Sequence, residues 1–231
     1  MDVGTLGYPV FVSDGIIGEL YEPSIRCIVL EKATLSKLID ETKTMIRYWN
    51  TNQDFKRLFV VSAGNFDITA DSFSPEILDS LAERERALTN KVNYFMKELR
   101  LFNELVVSCG GILVVTSLIP QPIEVDDVVS PNLLPMQEFL SRLFLKINDE
   151  IWKFNKNNHR TTLFLKDKLE VRIAKKHGKV REDRVFYGGR RQVKIRLDCF
   201  KRDYSQLDND IKYSLKELVV KHINNNNKFD T

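Results

Sequence analysis

Val10 to Ile17 reads V-F-V-S-D-G-I-I. The run from Pro9 to Ser13 is apolar on both sides of the chain and stops at Asp14-Gly15, a polar turn pair. That pattern predicts a short buried strand followed by a turn. Three further runs have the same character: Ile25 to Leu30 (I-R-C-I-V-L), Leu58 to Val61 (L-F-V-V) and Ile112 to Thr116 (I-L-V-V-T). Between them lie segments with helical spacing. Leu35, Leu38, Ile39, Met45 and Ile46 mark a helix over Thr34 to Trp49. A second, opened by Pro75, runs from Ile77 through Leu88, Phe95 and Phe102 toward Val106 and stops at Gly110-Gly111. Prolines 120, 122, 131 and 135 mark a long loop. Leu140, Leu143, Phe144, Ile147, Ile151 and Phe154 then mark another helix.

Strands that are apolar throughout and alternate with helices predict an α/β fold, a three-layer α/β/α sandwich around a mainly parallel sheet. Ligands of such sheets sit outside the carboxyl ends of the strands. The residues to inspect are therefore Ser13-Asp14-Gly15, Ser62 to Asp67 and Thr116 to Gln121.

The last third is different in kind. Thr161 to Leu165 and Leu169 to Ile173 are expected strands. Arg184 to Tyr187 and Gln192 to Leu197 flank Gly188-Gly189 and predict a basic β-hairpin inserted in the C-terminal third. A last helix is expected from about Ser205 to His222, and a disordered polar tail over 224–231. From Trp152 to Arg202 there are 17 Lys and Arg against 5 Asp and Glu, whereas the rest of the chain holds 18 against 27. An overall charge of +3 thus conceals an acidic body with a cationic third. Such asymmetry points to a polyanionic partner. The simpler alternative is that these charges face water or pair with the acidic body.

Composition excludes several classes. No apolar run reaches the roughly 18 residues needed to cross a bilayer, so no membrane partner is expected. The first twenty residues carry no Lys or Arg, so no secretory leader is expected. Cys27, Cys109 and Cys199 are far apart, as are His159, His177 and His222. Neither a disulfide framework nor a metal site or other cofactor is expected, and the natural location is intracellular and cytoplasmic. The K-K-H-G-K-V-R run (Lys175 to Arg181) leaves nuclear import open.

Five blocks in order resemble the SGNH, or GDSL-type, hydrolases, whose fold is flavodoxin-like. V-F-V-S-D-G-I-I (Val10 to Ile17) resembles the family's first block, where a strand ends in a Gly-Asp-Ser turn bearing the nucleophile. V-V-S-A-G-N-F-D (Val60 to Asp67) resembles the block whose glycine and asparagine help form the oxyanion hole. Gly110 to Pro122 and Asn148 to Asn155 resemble the strand, proline loop and helix that follow. I-R-L-D-C-F-K-R (Ile195 to Arg202) stands where the family carries its D-x-x-H catalytic pair. The resemblance implies one SGNH hydrolase-like domain over residues 1–223.

On this alignment Asp14, Gly15, Gly64, Asn65, Asp198 and Lys201 are vestigial catalytic positions: Gly15 stands for the serine and Lys201 for the histidine. Ser13 lies two residues early, about 7 Å along an extended chain. An aspartate that orients a base is of no use without the base. The chain also resembles the OSK domain, the C-terminal domain of insect Oskar proteins, where the catalytic residues are likewise missing and RNA is bound. The implied function is an inactive SGNH-like binding module for RNA or another polyanion rather than an enzyme. The expected contacts are Arg172, Lys175, Lys176, Lys179, Arg181, Arg190, Arg191, Lys194, Arg196, Lys201 and Arg202. Phe186, Tyr187, Phe200 and Tyr204 are interleaved among them, as stacking faces or as plain packing. Two alternatives stay open. One is a self-associating or protein-binding structural module; the other is an active esterase with a non-standard constellation around Ser13.

Overall fold

The computed structural model describes residues 8–49, 57–69, 72–119, 133–168, 170–172, 184–187, 193–196 and 207–226. Four strands, β1 (Val10–Ser13), β2 (Arg26–Val29), β3 (Leu58–Ser62) and β4 (Ile112–Val115), form an all-parallel sheet in the order β2-β1-β3-β4. Residue pairs Val10 and Phe59, Phe11 and Val60, and Phe59 and Leu113 fix the register. Every residue of β1 and β3 is buried, as strands covered on both faces must be.

Alternation along these strands divides the core in two. Val10, Val12, Phe59, Val61, Leu113 and Val115 face one side, packed with residues of α1 (Leu35–Trp49), α2 (Leu81–Ser108) and α3 (Leu133–Asn157). Phe11, Leu58, Val60 and Val114 face the other, against Ile16, Ile17, Leu20 and Ile25 and against Leu215, Val219 and Ile223 of α4 (Asn209–Asn226). The expected three-layer α/β/α arrangement is therefore present, with three helices on one face and α4 on the other.

Local chemistry explains several helix ends. The backbone N–H of Leu35 donates to Asp67 Oδ2 (2.8 Å), so a carboxylate from a distant loop caps α1. Ser80 caps α2, its hydroxyl accepting from Glu83 N (3.1 Å). At the far end of α2, Gly111 N donates to Val106 O and Gly110 N to Val107 O, the Schellman pattern expected of Gly110-Gly111.

The structure corrects several expectations. Pro75 does not open α2; it opens a separate 3₁₀ turn, Pro75–Leu78, and α2 begins only after the Ser80 cap. Pro135 belongs to the first turn of α3, not to a loop, in the part of a helix that tolerates a missing N–H. Thr161 to Leu165 forms no strand. It runs beside the carboxyl end of β4, where Ser117 N donates to Leu163 O (2.9 Å), and then turns into a 3₁₀ helix at Leu165–Lys168. Asn224 to Asn226, expected in the tail, continue α4.

A second sheet holds β5 (Glu170–Arg172), β6 (Arg184–Tyr187) and β7 (Val193–Arg196), antiparallel in the order β5-β7-β6. The proposed turn residues between β6 and β7 lie outside the described residues. Among the described residues, no helix is long and apolar enough to cross a membrane.

Candidate functional site

Strand order reverses at β1: the chain leaves it for β2 on one side and returns as β3 on the other. The crevice at such a switch point is where sheets of this kind hold ligands. The residues just beyond β1 and β3 are Asp14, Gly15, Gly64 and Asn65, four of the six positions singled out from the sequence. Asp198 and Lys201 lie outside the described residues.

Asp14 is fully buried. Its Oδ2 accepts from Asn65 N (3.0 Å) and Asn65 Nδ2 (2.9 Å), and its Oδ1 accepts from Ile16 N (3.3 Å). Asn65 in turn accepts from Ile119 N through Oδ1 (2.8 Å). The carboxylate and the carboxamide thus tie together the loops after β1, β3 and β4. Burial pushes the Asp14 carboxyl up to about 6, against the opposing pull of the hydrogen bonds from Asn65 and Ile16. A carboxyl raised in the folded state contributes stability that is present below the unfolded value and lost as pH rises through the folded one. Going from about pH 4.5 to about pH 7, Asp14 should therefore withdraw about 2 kcal/mol. In urea unfolding at both pH values, the free energy of the native chain relative to that of Asp14→Asn should fall by that amount at the higher pH. A difference that does not change with pH contradicts the assignment. Asp67, also raised by burial, is common to both chains and cancels.

Two backbone positions decide what this edge can carry. Gly15 has φ +90°, and a Cβ placed there would lie 2.8 Å from Glu31 Cα. The left-handed backbone and the neighbouring main chain both oppose a side chain at the position that the alignment assigns to the nucleophile. Ser13 is fully buried, and its Oγ accepts from Gly15 N (3.2 Å), so its hydroxyl braces the same turn. Gly64 has φ +106°, and a Cβ there would lie 2.3 Å from Cε2 of the buried Phe95 ring. The glycine lets an aromatic ring from α2 reach the loop.

Sequence reasoning missed the residues that hold the β4 side of this edge. Asn155 Nδ2 donates to Val115 O (2.7 Å) and Thr162 Oγ1 (2.8 Å), and its Oδ1 accepts from Val115 N (3.1 Å). Asn148 Oδ1 accepts from Leu118 N (2.7 Å). Both asparagines stand four residues after members of the apolar stripe, Phe144 and Ile151. A polar residue at a stripe position is a buried polar residue, and that was the available signal.

Of the cationic candidates, Arg172 lies on β5, and Lys194 and Arg196 on β7, in adjacent strands of the second sheet. Pairing sets Arg172 opposite Val193, Lys194 opposite both Val171 and Phe186, and Arg196 opposite Arg184. Lys175, Lys176, Lys179, Arg181, Arg190, Arg191, Lys201 and Arg202 lie outside the described residues, as do Phe200 and Tyr204. Among the described residues, no group of three His, Cys, Asp or Glu is placed to hold a metal ion.

A four-stranded parallel sheet in this order, covered by helices on both faces, is an SGNH-like α/β fold. Solved structures share it along nearly their whole length. A GDSL-like lipase from Bacteroides thetaiotaomicron superposes with a TM-score of 0.56 at 11% identity, over 94% of this chain and 87% of that one. A candidate acylhydrolase from Bacteroides fragilis gives 0.55 at 10%, over 98% and 90%. The OSK domain of Drosophila Oskar gives 0.50 at 12%, over 94% and 88%. No family model and no curated protein matches the chain. At such identities the likeness is one of fold, and function is to be argued from the residues.

Proposed function

We propose that this chain is a binding module on an SGNH-like fold, without hydrolase activity, that holds single-stranded RNA through its cationic C-terminal third. The observation that carries the first half is the Gly15 turn. Main chain stands 2.8 Å from where a Cβ would be, and the backbone is left-handed. The neighbouring serine hydroxyl is buried and hydrogen-bonded into that turn. An attacking oxygen needs near-contact with a bound carbonyl, and a hydroxyl sealed under the sheet edge does not have it. The Asn65 carboxamide is engaged at both its oxygen and its nitrogen in joining loops.

The second half is supported by charge. Trp152 to Arg202 holds 17 Lys and Arg against 5 Asp and Glu, while the rest of the chain is net acidic. By register Arg184, Lys194 and Arg196 fall on one face of the small sheet, and Arg172, opposite Val193, falls on the other. Cations so grouped neutralise phosphates and release counterions.

Anisotropy of a labelled single-stranded RNA tests this directly. If about five phosphates are neutralised, affinity should fall on the order of a hundredfold between about 50 and 200 mM salt. Arg190→Ala with Arg191→Ala should weaken binding about tenfold and flatten the salt slope by about 1.4. Absent or salt-insensitive binding removes the RNA reading.

A further inference from the structure

On the far side of the sheet from α1, α2 and α3, α4 leaves a groove of about 460 Å³ between itself and the segment around Tyr21. One wall is a single stripe of α4 that includes Tyr213, Lys216, Glu217 and Lys221, spaced three and four residues apart; the other carries Tyr21 and Glu22. The volume lies within the ordinary range of small-ligand sites. Neither tyrosine is used by the core: Tyr21 is 82% exposed and Tyr213 is 60% exposed. The Lys216 ammonium sits 4.1 Å from the centre of the Tyr21 ring, so cation and ring are already assembled as one surface.

These residue types match the parts of one kind of ligand. Exposed aromatic faces stack on bases that have no partner strand. Lys216 and Lys221 supply charge for phosphates. Glu22 and Glu217 repel phosphate, but they accept hydrogen bonds, and a ribose 2′-hydroxyl is a donor that DNA lacks. A duplex, whose bases are already stacked, uses only the lysines and meets the carboxylates as a penalty. Single-stranded RNA uses all three groups.

We infer that this groove binds an unpaired base together with its ribose, as a second contact surface for single-stranded RNA distinct from the cationic third. The inference rests on the RNA reading above and adds residues that the charge argument does not touch.

Its signature differs from that of the arginines, because stacking releases no counterions. Tyr21→Leu and Tyr213→Leu change exposed side chains, and an unchanged thermal midpoint will show that the fold is kept. Measured with octamers of rA and rU by anisotropy, each should weaken binding about tenfold with the salt slope unaltered. The native chain should prefer RNA to the same sequence in DNA by several-fold, and Glu22→Leu with Glu217→Leu, which remove both acceptors, should abolish that preference. If the arginine variants weaken binding while both tyrosine variants bind as the native chain does, the groove is not the site and the RNA reading stands. If the native chain binds neither octamer at any salt concentration, both fall. A tyrosine effect that appears only as a loss of salt slope also overturns the stacking role.

Discussion

Gly64→Ala should lower the unfolding free energy by about 3 kcal/mol, a large share of the stability of a domain this size. Two costs add. A left-handed backbone costs an L residue about 1–2 kcal/mol. Overpacking a filled site costs about 1–3 kcal/mol more. The clash is with Phe95 Cε2, at 2.3 Å from the new Cβ, and Phe95 is buried on all sides and cannot swing away. Relief should therefore come from the ring. Phe95→Leu in the Gly64→Ala background should cost less than it does alone, giving a favourable coupling of about 1 kcal/mol in a double-mutant cycle. Urea denaturation reads all four chains. A Gly64→Ala cost within about 0.5 kcal/mol of zero contradicts the close approach of α2 to this loop.

Asn155→Leu should be at least as damaging, at about 4 kcal/mol. Its carboxamide is the described partner of both the N–H and the C=O of Val115 on β4, one of the two outer strands of the four. Leucine has nearly the same volume, so little is lost in packing. What is lost is the pairing of two buried main-chain groups, at about 1–3 kcal/mol each. Thr162→Val removes one bond of the same network and should cost about 1 kcal/mol. Hydrogen exchange separates the local effect from general destabilisation. The Val115 amide should lose protection in Asn155→Leu well beyond that of Val60 in the sheet centre. Equal loss at both positions places the effect elsewhere.

The two changes show what kinds of information the chain displays in its order of residues. The central strands β1 and β3 were legible within a residue at each end, because a strand buried on both faces must be apolar throughout. Asp14, Gly64 and Asn65 were legible as strand-end residues because parallel sheets present their strand-end loops at one edge. Pro75 misled because a proline suits the first turn of any helix, 3₁₀ as well as α, while the true cap, Ser80 with Glu83 three residues on, lay further along. Thr161 to Leu165 misled because β-branched and apolar residues beside a sheet edge need not join its ladder. Gly64 was readable as a turn residue, but the ring it admits comes from a helix some thirty residues away in sequence. Contacts of that range leave no local periodicity. Tyr21, in an irregular segment, carried no signal that it would face Tyr213 across a groove.

On the reading proposed above, the Gly15 turn presents no attacking oxygen. Hydrolysis of p-nitrophenyl acetate and butyrate by the native chain and by Ser13→Ala tests it most directly. With Ser13 buried and bonded to the Gly15 turn, both proteins should hydrolyse the esters at the same slow rate as buffer. Saturable turnover by the native chain that disappears in a folded Ser13→Ala contradicts the account.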